Sequence, residues 1–120
     1  MITKLKAITD SLIKWDYARE TGCHYNDVQY WIDKTYPNIS HYRDHCGLCE
    51  YSEERMDFPF REERCKVCPL VKVDESCFNR NSTYHSWVNS DNIKDRKKYA
   101  RKTYNNIYSL LTDKQKESIK

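Results

Sequence analysis

Two C-x-x-C pairs, Cys46/Cys49 and Cys65/Cys68, stand fifteen residues apart in the middle of a 120-residue chain. Each pair can turn as a tight knuckle presenting two thiolates, and the intervening residues suffice for the chain to return, so the four sulfurs suit one tetrahedral ion. Zn²⁺ accepts four thiolates without redox chemistry. Such a closed shell leaves no water to activate, so Cys46, Cys49, Cys65 and Cys68 are expected to form a structural site. Cys77 follows the second pair and is the alternative ligand for one of the four; His45 precedes the first pair. An iron–sulfur cluster uses the same thiolates, but Glu50 and Pro69 stand where iron knuckles favour glycine, which favours zinc. The bland alternative is a set of reduced, packed or disulfide-linked cysteines. Cys23, isolated near the front, reads as a small packed side chain.

A metal would matter because the core is thin. Hydrophobic residues make up 38% of the chain and charged ones 32%, so apolar burial is limited for one domain of this length. No apolar run is long enough to span a bilayer, and charge interrupts the first twenty residues throughout, unlike a secretory signal. The chain is expected to be soluble and intracellular, where cysteines serve metal better than disulfides; a cleaved leader would reverse that inference.

Hydrophobic periodicity predicts helices on both sides of the cysteines. Leu5, Ile8, Leu12 and Trp15 align on one face over residues 2 to 20, and Val28, Trp31 and Ile32 do so from about Asn26 to Thr35. Tyr36-Pro37 should stop the second helix, because the residue before proline disfavours helical geometry. Ser90 is the expected cap of a third helix carrying Ile93, Ala100, Tyr104, Ile107 and Leu111, and Thr112 to Gln115 has the form of a capping box opening a final one. The stretch from Ser40 to about Trp87 lacks long periodicity and is expected to be loops and short strands around metal. The fold class is therefore mainly α, with helices flanking a zinc-knuckle or zinc-ribbon-like core and a small α+β arrangement as the alternative. One domain spans residues 1–120, with N-terminal helices over 1–39, the metal segment over 40–88 and C-terminal helices over 89–120.

The string His45-Cys-Gly-Leu-Cys49, Cys65-Lys-Val-Cys-Pro-Leu70, Cys77 and Thr83-Tyr-His-Ser-Trp87 resembles a group of small uncharacterised bacteriophage proteins. Those share a C-x-L-C, C-x-x-C-P, fifth-cysteine and Tyr-x-x-Trp pattern, with a short helix like Ser11-Leu-Ile-Lys-Trp15 first and an amphipathic helix last. The likeness covers most of the chain; the long insert from Asp16 to Asp44 and the missing proline before the tyrosine depart from it. It implies a metal-held fold in which the fifth cysteine matters. It also implies a site of action in the cytoplasm of an infected bacterium and a role in host takeover or counter-defence.

Three functional readings compete. Ten tyrosines and three tryptophans suit a contact surface, and Tyr25, Tyr30, Tyr36 and Tyr42 cluster around the insert and the first knuckle. A metal-rigidified protein that binds and inhibits a host protein is the leading expectation, against the plain alternative of a tyrosine-rich core. Nucleic-acid binding is the rival. Lys94, Arg96, Lys97, Lys98, Arg101 and Lys102 face a single Asp95 within nine residues, although a net charge of +3 does not mark the whole chain as a polyanion binder. Ala18, Gly22, Val28 and Trp31 also fall at helix-turn-helix spacing, which would put His24, Tyr25, Asn26, Gln29 and Tyr30 at the start of a recognition helix. Against this, the second helix carries Asp27 and Asp33 with only Lys34 as a cation. The third reading, an HNH-like nuclease built from Asp44, His45, His85 and Asn79 or Asn81, with His41 as a further cation ligand, matches the motif spacing poorly. No phosphate-binding glycine loop or serine-nucleophile motif is present, so a non-enzymatic role is expected.

Overall fold

The computed structural model describes residues 2–40, 47–48, 51, 69 and 82–119. The described residues form helices and no strand: α1 (Lys4–Thr21), α2 (Tyr25–Thr35), α3 (Pro37–Ser40), α4 (Thr83–Val88), α5 (Ile93–Tyr108) and α6 (Asp113–Ile119). Local chemistry sets their ends. The Thr3 hydroxyl accepts the Lys6 N–H at the start of α1, and Gly22 closes it in the left-handed region at φ 66°, its N–H bonded to the Ala18 carbonyl. Tyr36 leaves helical geometry before Pro37, as the sequence predicts, although the chain turns once more as α3. The capping box at α6 forms in both directions, the Thr112 hydroxyl accepting from the Gln115 N–H and the Gln115 side-chain carbonyl from the Thr112 N–H.

Two helices dominate the packing. The end of α1 meets the start of α5, where the Arg96 Nε–H donates to the Gly22 carbonyl at 2.6 Å, while Leu12 and Ile13 lie beside Tyr104, so α1 and α5 run antiparallel. Between them and α2 lies a core that includes Ile8, Leu12, Ala18, Val28, Ile32, Ala100 and Ile107. At one side an aromatic group closes it: Trp15 and Trp87 meet edge to face at 4.8 Å, with Tyr84 6.0 Å from both rings. Lys14 is 1% exposed, its ammonium 5.4 to 5.9 Å from the Trp15, Tyr25 and Tyr84 ring centres, a cation–π setting that its position in the sequence gives no hint of.

Several expectations require correction. Leu5 is 41% exposed and Ile93 56%, so neither belongs to the buried stripe of its helix. Asn92, not Ser90, caps α5, accepting the Asp95 N–H at 2.8 Å. The segment expected to be loops and strands ends in a helix, since α4 is capped by the Ser82 hydroxyl and carries Trp87 into the core. No strand occurs among the described residues, while the thiolates of the zinc-knuckle core lie outside them.

At Gly22 the backbone itself limits the residue type. A Cβ there would meet Ile93 Cγ2 at 2.6 Å and Lys97 Cγ at 3.1 Å, on a backbone that L-residues adopt with strain. Gly22→Ala is expected to cost about 2–4 kcal/mol, from backbone strain plus overpacking. Urea unfolding checks this; a loss below about 1 kcal/mol would mean that the turn relaxes freely.

Candidate nucleic-acid interface

Five of the six clustered cations share one face of α5. At about 100° per residue, Lys94, Lys97, Lys98, Arg101 and Lys102 occupy an arc of about 140°, opposite the buried Ala100, Thr103 and Ile107. Lys94, Lys98, Arg101 and Lys102 are exposed and Lys97 is half-buried along its stem. The ion pairs between described residues, Lys6 with Asp10 and Arg19 with Asp16, leave all five out. Arg96 is the exception in the run. It is buried, and its guanidinium ties α5 to the Gly22 carbonyl and reaches the Ser90 carbonyl, so it acts as a structural link between helices. Lys98 lies 5.3 Å from the Tyr99 ring, whereas Tyr104 and Tyr108 stack on each other at 6.2 Å along the helix. Tyr104 is also covered by the Arg19 guanidinium at 3.8 Å.

The first turns of α5 adjoin the α1–α2 connection, because Ile93 and Lys97 pack on Gly22. In that connection α1 ends at Thr21, three residues turn, and α2 opens at Tyr25. Three of the four spacing positions are fully buried or turn the chain, and Trp31 is half-buried. Ala18 and Val28 are fully buried, Gly22 has positive φ, and Trp31 stacks on Tyr17 of α1 at 4.0 Å and 5°. Of the residues expected to line the second helix, His24, Asn26 and Tyr30 are exposed, while Tyr25 and Gln29 are half-buried. The Gln29 Oε1 is buried without a hydrogen-bond partner among the described residues.

The tyrosines assigned to a protein-contact face separate. Tyr30 is 62% exposed, with the Lys34 ammonium 4.5 Å from its ring centre. Tyr25 packs towards Trp87 and Tyr36 against Trp31, so both serve the fold, and Tyr42 lies outside the described residues.

Cys46, Cys49, Cys65, Cys68 and Cys77 also lie outside the described residues, as do His41, Asp44, His45, Asn79 and Asn81. Their neighbours give a partial view. Gly47, inside the first pair, sits so close to α1 that a Cβ would fall 2.5 Å from the Ala7 carbonyl oxygen. Leu48 is fully buried and its N–H donates to the Ser11 hydroxyl at 3.0 Å; Pro69, just after Cys68, is buried as well. These contacts set Gly47 and Leu48 against α1. Among the described residues no three His, Cys, Asp or Glu side chains gather as a metal site.

Of the proposed nuclease residues, His85 is described, and its Nδ1 lies 2.7 Å from the Asn89 side-chain nitrogen. Burial pushes the Cys23 thiol above its usual value, outweighing the hydrogen bond from Thr21, which disfavours the reactive thiolate. An open groove of about 340 Å³ between α1 and α5 offers one carboxylate, Asp16, already paired with Arg19. No helix among the described residues is long and apolar enough to cross a membrane. No family model matches the chain, and neither a curated protein nor a solved structure matches it significantly.

Proposed function

We propose that the protein binds nucleic acid through the basic face of α5, on a fold stapled by zinc at Cys46, Cys49, Cys65 and Cys68. The observation that carries the reading is the placement of Lys94, Lys97, Lys98, Arg101 and Lys102 on one solvent-facing arc, with no carboxylate partner among the described residues. Cations arranged this way repel one another, whereas a polyphosphate strand relieves the repulsion and releases its own counterions. The cysteine spacing supports the staple, and the docking of Gly47 and Leu48 on α1 ties it to the helices. The resemblance to phage proteins would put the activity in an infected bacterial cell.

The host-protein reading loses Tyr25 and Tyr36 to the core and keeps Tyr30, which makes it the second choice. Binding of a labelled duplex followed against salt distinguishes them. Five phosphate contacts predict a slope of log affinity on log salt of about −4.5, or a loss of several hundredfold between 50 and 200 mM. Replacing the exposed Lys98, Arg101 and Lys102 with glutamate should abolish binding while leaving the helical circular dichroism unchanged. Undiminished binding by that variant, or a flat salt response, overturns the proposal.

A further inference from the structure

We infer that α1, the Gly22–His24 turn and α2 form a helix-turn-helix that reads duplex DNA, with α2 in the major groove and the α5 cations on the flanking phosphates. This deepens the nucleic-acid reading and rests on it. The argument begins with a division of labour. Phosphate contacts position a protein on DNA, and contacts to base edges give it sequence preference. The outward face of α2 carries Asn26, Asp27, Tyr30 and Asp33, with Lys34 drawn over the Tyr30 ring, so this helix has hydrogen-bonding groups but little charge with which to hold a backbone. The outward face of α5 carries the cations. The contact of Gly22 with Ile93 and Lys97 brings the first turns of α5 beside the turn that leads into α2. Lys97, one of the α5 cations, therefore stands beside the turn that opens α2.

Dimensions favour a duplex of B form. A helix with its side chains is about 10–12 Å across and fits a major groove about 12 Å wide, whereas the deep, narrow major groove of duplex RNA does not admit one. The eleven residues of α2 run about 16 Å, the axial length of about five base pairs. Recognition helices touch base edges with their N-terminal residues, which here selects His24, Asn26 and Tyr30 over Asp33 in the last turn. Asn26 is suited to the paired donor and acceptor of adenine, and the one acidic group in the first turn, Asp27, to the amino group of cytosine.

Selection of preferred sites from a random duplex library, followed by affinity measurement on the winner and on an unrelated duplex, tests the inference. The wild type should prefer the selected site by about 10³-fold or more. Asn26→Ala should weaken binding to that site by about 5–150-fold, and Tyr30→Ala should also weaken it. Both variants should keep wild-type affinity and salt slope on the unrelated duplex. Failure to enrich any sequence, preference for single strands, or equal weakening on both duplexes overturns the helix-turn-helix assignment while leaving the basic face of α5 as a nucleic-acid binder. Absence of binding to every nucleic acid at low salt overturns both.

Discussion

Trp87→Ala should lower the midpoint of thermal unfolding by about 12–20 °C, since a fully buried tryptophan costs about 3–5 kcal/mol to truncate and each kcal/mol moves a chain of this size by about 4 °C. Trp87 is 1% exposed and packs edge to face on Trp15, with Tyr84 and Tyr25 completing the surround. It also brings α4 onto α1, so the truncation opens a cavity where two parts of the chain distant in sequence join. The loss is a large share of the roughly 5–15 kcal/mol that holds a domain folded. Trp87→Phe sharpens the test. The indole N–H is buried without an acceptor among the described residues, so phenylalanine keeps ring contact and removes an unsatisfied donor. It should cost clearly less than alanine. Melting followed by far-ultraviolet circular dichroism gives both values, and a shift of under about 4 °C for the alanine variant would remove Trp87 from the centre of the core.

The sequence made the helices legible where their signals are local, and failed where distant segments decide. The α2 stop before Pro37, the capping box at Thr112 and the Gly22 turn depend on residues within one or two turns, and each is as expected. The stripe of α1 is displaced because α1 is covered from several directions. Ala7 and Ser11 are fully buried since the Gly47–Leu48 backbone lies against them, and their small side chains allow that approach. A search for large apolar residues at helical spacing passes over such positions and admits Leu5, which faces solvent. Lys14 and Arg96 make the same point for charge. A run of cations reads as a solvated face, yet Arg96 is drawn inward by a carbonyl seventy-four positions away. The remaining five cations make a narrower and cleaner face than the sequence run suggests. On the candidate site, the spacing of Ala18, Gly22, Val28 and Trp31 carried real geometric information, while the contact between Gly22 and α5 that sets the cations beside the turn had no local signature.

Removing metal is expected to do more damage than any single core substitution. Structural zinc in thiolate sites contributes about 10–16 kcal/mol of apparent binding free energy at neutral pH, comparable to or larger than the whole stability of a domain. The segment that would hold it is not an appendage. Leu48, between Cys46 and Cys49, is buried with its N–H on Ser11, Gly47 rests on the Ala7 carbonyl, and Pro69 beside Cys68 is buried. Loss of a metal bound there would withdraw these groups from α1, on the side of the helix where small residues give no core of their own. The purified protein should therefore contain about one zinc ion per chain, and a strong chelator should abolish the cooperative thermal transition. Cys65→Ser and Cys68→Ser should each reproduce that loss. Cys77→Ser should retain the metal if the paired cysteines are the ligands; loss of metal there, with retention in one of the paired variants, would exchange that ligand for Cys77. Visible absorbance with bound iron would replace zinc by a cluster on the same thiolates. A metal-free protein whose melt is unchanged by chelator would show that the cysteines are not ligands and that the helices hold the fold by packing alone.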